Sequence, residues 1–159
     1  MSTTFRTWFI KLFLPYASWW VARQERRILN EGVRLSELEA SWAASVGVQD
    51  VEKVRLLYVS VVPLPGSPLL NYFADLIRYP IAPIGLAAGH GIYLSKECRT
   101  DPSLLVHELV HVAQYERYGG IRPFLVEYLE ECFRDGYWNA EMEHEARGAA
   151  IPYNRPPDR

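Results

Sequence analysis

The chain predicts an α+β fold: a small β-sheet, a central buried helix, and further helices around them. Three observations predict it. Residues 102–118 are apolar around most of a helical circumference and lie between clear end signals. Short aliphatic runs at 51–62, 84–86 and 92–94 are bounded by Pro and Gly. The 159 residues, 49% hydrophobic and 23% charged, suffice for one globular core.

Residues 1–31 read as an aromatic, amphipathic helical segment. Phe5, Trp8, Phe9, Leu12, Phe13 and Tyr16 fall on one helical face, with Thr7 and Lys11 opposite. That face suits packing on the core or a second subunit, or contact with a membrane surface through residues 5–22. Arg6, Lys11 and Pro15 interrupt the ~20 apolar residues that a transmembrane helix needs. The segment also lacks the small-residue cleavage site of a signal peptide. The expected location is cytoplasmic, with at most a peripheral membrane contact. A charged helical stretch, 23–27, continues toward Gly32.

Residues 32–151 form the main domain. Ser36 and Glu39 make a capping box that opens a helix ending before Gly47. The run 51–62 reads as a strand closed by Pro63 and Pro65, with a loop at 63–68 and a short helix at 69–78. Pro80 and Pro83 mark a turn region. Strands at 84–86 and 92–94 join through 87–91 as a hairpin. Asp101-Pro102 is an N-cap with Pro at the first helical position, and Gly119-Gly120 is a stop. Helices follow from near Pro123 and near Asn139, and residues 152–159, with three Pro, form a loose tail.

The middle of the 102–118 helix carries His107-Glu108-Leu109-Val110-His111. Spacing of four puts both imidazoles on one helical face, where they can grip one metal ion. Glu108 sits about 100° further round and can reach a water on that ion. His107, His111, Gln114 and Tyr118 make one polar stripe on an otherwise greasy helix. Each such group buried without a partner costs roughly 1–3 kcal/mol. A metal would satisfy both His; the alternative is two core histidines paired with carboxylates.

Catalytic zinc takes three protein ligands and keeps one position for water. No third His follows at short spacing, so the third ligand should be a later carboxylate, and Glu141, Glu143 and Glu145 are candidates. On a helix Glu143 lies beside Ala146 and Ala150, small residues that let two helices approach, and this favours it modestly. The other reading of any of these acids is a solvated face.

The stretch from Leu104 to Gln114, followed by Glu143-His-Glu-Ala146, resembles gluzincin-type metallopeptidases. The resemblance implies a zincin-like fold, Zn2+ held by His107, His111 and Glu143, and Glu108 as general base. Arg147 stands where many members carry Asp. More closely, residues 32–149 resemble a group of bacterial His-Glu-x-x-His proteins of uncharacterised activity. In gluzincins the strand before the motif helix often edges the sheet, so residues 91–95 are expected to pair with an extended peptide.

The expected activity is that of a zinc metallopeptidase acting on a peptide or protein substrate. A zinc-binding module without activity and a membrane-associated interaction protein are the alternatives. Tyr93, Tyr128, Tyr137, His144 and Arg147 are candidates for oxyanion or substrate contacts, and His90 for a place in the cleft. Net charge is −2, with no basic stripe interleaved with aromatics, which argues against nucleic acid. Cys98 and Cys132, far apart and outside metal-motif spacing, read as two thiols in a reducing compartment.

Overall fold

A computed structural model of the chain describes residues 3–66 and 82–154. The expected helix at 69–78, and the end of the expected tail, lie outside them. In chain order come α1 (Thr3–Glu31), β1 (Val33–Arg34), α2 (Glu37–Ser45), β2 (Arg55–Val59), β3 (Gly85–Ala88) and β4 (Gly91–Ser95). Three helices follow: α3 (Pro102–Tyr118), α4 (Ile121–Asp135) and α5 (Glu141–Ala150). The protein is α+β.

Helix ends follow local chemistry. The Ser36 hydroxyl accepts from the Glu39 amide while the Glu39 carboxylate accepts from the Ser36 amide, the expected reciprocal box. Asp101 Oδ1 accepts from the amides of Ser103 and Leu104 at 2.9 and 3.2 Å, and Pro102 opens the first turn of α3. At its other end Gly119 takes φ 86°, the left-handed closure that favours glycine.

The sheet runs β1-β2-β4-β3, with β2 and β4 parallel and the other pairs antiparallel. The hairpin joining β3 to β4 was expected; both strands are a little longer than the sequence indicated, and the turn is Gly89-His90. The strand expected over 51–62 is shorter. Residues Val51–Lys53 form a 3-10 turn, and only Arg55–Val59 pair. Here Lys53 and Val54 bond back to the carbonyls of Asp50 and Val51, while Gln49 and Asp50 donate to the Glu116 carboxylate. A β-branched run cannot reveal that its amides have partners nearer than a sheet.

Every residue of β4 is buried, because α1 covers one face and α3 the other. On the α1 side Tyr93 donates to Gln24 Oε1 at 3.0 Å, and Gly91 lies so close to Ile28 that a Cβ would come within 2.8 Å of it. On α1 itself Ile10, Leu14, Val21 and Ile28 are buried. Leu12 and Tyr16, members of the aromatic face read from the sequence, are exposed alongside Lys11 and do not pack on the core. The side chains of Phe5, Trp8 and Phe9 lie outside the described part. Pro15 sits inside α1 on its exposed side. No helix among the described residues is long and apolar enough to cross a membrane. Cys98 and Cys132 are both free, and burial pushes the Cys132 thiol up to about 12.

The hairpin turn is clasped from two sides. The His90 amide donates to Glu25 Oε1 of α1 at 2.9 Å, and His90 Nε2 lies 2.9 Å from Glu116 Oε1 of α3. His90 therefore sits between two helices and outside the cleft, contrary to one of its expected places. Its hydrogen bond to Glu25, then that to Glu116, outweigh burial and raise its pKa. Burial would raise Glu25 and Glu116, but His90 and, for Glu116, the Gln49 and Asp50 amides hold both carboxyls low.

A raised folded pKa means that His90 contributes stability fully below its unfolded value of ~6.5, and loses it as pH rises through the folded value. Glu25 and Glu116 contribute above their unfolded values near ~4.3 and lose that as pH falls. In urea unfolding followed from about pH 6 to 9, the stability gap between the wild type and His90→Gln should therefore shrink as pH rises. A gap constant over that range would remove the charged clasp.

Candidate metal centre

Helix α3 presents His107 and His111 one turn apart, with rings 4.8 Å apart and near perpendicular. Helix α5 packs against α3 and delivers Glu143, which is 1% exposed. Ala146 and Ala150 are buried in the same stripe of α5, and their small side chains permit the close approach. His107 Nε2 and His111 Nε2 lie 3.2 Å apart. Glu143 Oε2 is 3.4 Å from the first and Glu143 Oε1 3.4 Å from the second.

Among the three acids of α5, the fold separates roles that the sequence left open. Glu143 faces the imidazoles. Glu145 turns away to a bidentate pair with Arg117, at 2.8 and 2.7 Å, and Glu141 is exposed.

A divalent cation fits these donors. Two Nε2 atoms 3.2 Å apart can share one proton but cannot both point one at the other. Glu143 Oε2 is buried with no hydrogen-bond donor among the described residues, its neighbours being His107 at 3.4 Å and Arg147 Nη1 at 3.5 Å. Two nitrogen lone pairs and an orphaned carboxylate oxygen converging at one point are a zinc donor set.

The surrounding residues prepare each donor. Gln114 is fully buried; its Nε2 donates to Met142 O at 3.0 Å and to Glu145 Oε2 at 2.9 Å. Its Oε1 must therefore be the atom 2.7 Å from His111 Nδ1, and that nitrogen must carry the proton. The Nε2 lone pair of His111 is thereby aimed at the centre. Tyr128 of α4 donates to Glu143 Oε1 at 2.7 Å. The sequence marked Gln114 only as part of a polar stripe; its position three residues after His111 was the available signal for an orienting role.

Electrostatics bind the cluster together. Burial alone would raise the Glu143 carboxyl, but the close approach of His107 and His111, the His111 charge and the Tyr128 hydroxyl hold it far below the usual range. Burial would likewise lower His111, yet Glu143 above all lifts it to about 9. A carboxylate this deep demands positive charge opposite it.

Glu108 is 5% exposed and lies beneath β3. A Cβ on Gly85 would come within 2.5 Å of Glu108 Oε1, so only glycine leaves that carboxylate its place. Burial raises the Glu108 carboxyl, against His107, His111 and an Ala87 amide, which lower it. A carboxylate with a raised pKa accepts a proton more readily than a solvated one, as a general base must.

The centre opens into a cavity of about 920 Å3 lined by β3, α3, α4 and α5. Tyr128, Tyr137, His144 and Arg147 line it, as does Trp20 of α1. Arg147 also donates to Trp138 O at 2.6 Å. Tyr93 does not reach the cavity: its hydroxyl is spent on Gln24, under α1. The expectation that β4 edges the sheet is corrected as well. Strand β4 is flanked by β2 and β3, and the strand bordering the cavity is β3.

Gln114→Leu removes the acceptor for His111 Nδ1 at similar volume. Zinc affinity in chelator competition should fall by about 10–100-fold, the usual effect of losing such a partner. Unchanged affinity would leave Gln114 a packing residue only.

No family model, curated protein or solved structure matches the chain, so its function rests on this geometry and on the residues that carry it.

Proposed function

We propose that the protein is a zinc-dependent hydrolase of the gluzincin kind, cleaving peptide bonds. The observation that carries the reading is the buried, unsatisfied Glu143 oxygen facing the two Nε2 atoms, with Glu108 on the adjoining turn of α3. A structural zinc site has no need of Glu108.

In this reading His107, His111 and Glu143 would hold zinc, which would supply Lewis acidity and make water easier to deprotonate near neutral pH. Glu108 takes the proton of the attacking water and passes it to the leaving amine. Gly85 leaves room for that carboxylate, and the Ala87 amide steadies it. Gln114 and Tyr128 hold His111 and Glu143 in register. Arg147, beside Glu143 at 3.5 Å, faces the developing negative charge along with Tyr137 and His144, which share the cavity wall.

The substrate we propose is an extended peptide laid along β3, whose outer edge has no further strand among the described residues. Leu86, Phe124, Tyr128 and Trp138 around the cavity favour bulky apolar side chains. The free thiols suit a reducing, cytoplasmic setting.

A second reading, zinc binding without turnover, draws on Arg147, a cation set against a ligand carboxylate. Elemental analysis and hydrolysis of a peptide library separate the two. Wild type should hold one zinc per chain, and Glu143→Ala should lose it while Glu145→Ala keeps it. Glu108→Gln should keep zinc and lose activity by about 10²–10⁴-fold. Gly85→Ala should also keep zinc and lose activity, because its methyl group displaces the Glu108 carboxylate. Zinc retained by Glu143→Ala would overturn the ligand set. Full activity in Glu108→Gln would overturn the mechanism.

A further inference from the structure

Helix α1 has two opposed faces. Ile10, Leu14, Val21, Gln24 and Ile28 point into the core and are nearly inaccessible. The opposite side exposes Leu12, Tyr16 and Trp19, at 55%, 39% and 50%. Spacings of four and three put these on one stripe, facing away from the protein. Lys11, Arg23, Arg26 and Arg27 are exposed on the same helix, and Arg23 lies 5.7 Å above the Trp19 ring. No acidic residue occurs in the sequence before Glu25, although the chain as a whole carries −2.

We infer that this outer face of α1 docks on an anionic lipid bilayer, lying in the interface without crossing it. A helix that packs its inner face on a domain has no structural need of an exposed Trp, Tyr and Leu in line. Amphipathic rings beside cations are the side chains that sit at headgroup depth, ring inward and charge toward phosphate. The charge decides the occupant. A second copy of this helix would bring its cations against these cations, whereas an anionic surface neutralises them. Trp20 and Val21, turned inward from this face, line the cavity that holds the proposed metal centre. The inference is independent of the metal, and its failure would leave the proposed hydrolase intact.

The test is co-sedimentation of the full chain with phosphatidylcholine vesicles, with and without about 30 mol % phosphatidylserine. Binding should occur on the anionic vesicles only and weaken as salt is raised. Leu12→Ser with Trp19→Ser, and separately Arg23→Glu with Arg26→Glu, should each reduce it by about 10-fold or more, with thermal unfolding unchanged. These side chains are exposed, so both variants should fold. Absence of binding to anionic vesicles would overturn the inference, as would binding that both variants retain. So would a dimer in size-exclusion chromatography that the apolar variant dissolves in a chain that ignores vesicles, which would assign the face to a second copy.

Discussion

One buried carboxylate organises the site end of this molecule. Glu143 lies inside the protein with two imidazoles, a phenol and a guanidinium around it, and each comes from a different turn or a different helix. An ionised carboxylate in such a place is tolerable only if paired, because desolvation costs several kcal/mol per ion. Helices α3, α4 and α5 are therefore held in one relation by the need to surround it. The same demand for compensating charge makes the place suitable for a divalent cation.

A second constraint is steric and runs through glycine. Gly85 lets Glu108 lie against β3, and Gly91 lets Ile28 of α1 press onto β4. Each is a point where a methyl group would force backbone or side chain apart. Together they set the thickness of the stack α1, sheet, α3, and with it the depth at which Glu108 sits beneath the strand that borders the cavity. The His90 clasp at the hairpin turn holds the other end of that stack, tying α1 and α3 across the sheet through Glu25 and Glu116.

Local features were legible in the sequence. The capping box at Ser36 and Glu39, the ends of α3 and the hairpin through Gly89 each depend on residues within a few positions of one another. So does the pairing of His107 with His111, which follows from helical spacing alone. Whether the aromatic face of α1 meets the core or the outside was not legible, because Leu12 and Tyr16 look as apolar as Leu14. Which stripe faces inward depends on what the helix lies upon. The strand over 51–62 starts later than its residues suggest because Val51–Lys53 close a 3-10 turn, with the Lys53 and Val54 amides bonding to the carbonyls of Asp50 and Val51.

The sequence by itself determined a helix with sharp ends and two histidines one turn apart, and a short set of acids able to face them, since caps and i, i+4 pairs are written in neighbouring residues. Only the tertiary structure decided that Glu143 turns inward while Glu145 goes to Arg117, that Gln114 sets the tautomer of His111, and that β3 rather than β4 borders the cleft. Those choices depend on groups roughly thirty or more residues away, and a strand's neighbours or a carboxylate's partner exist only once the distant segments have packed.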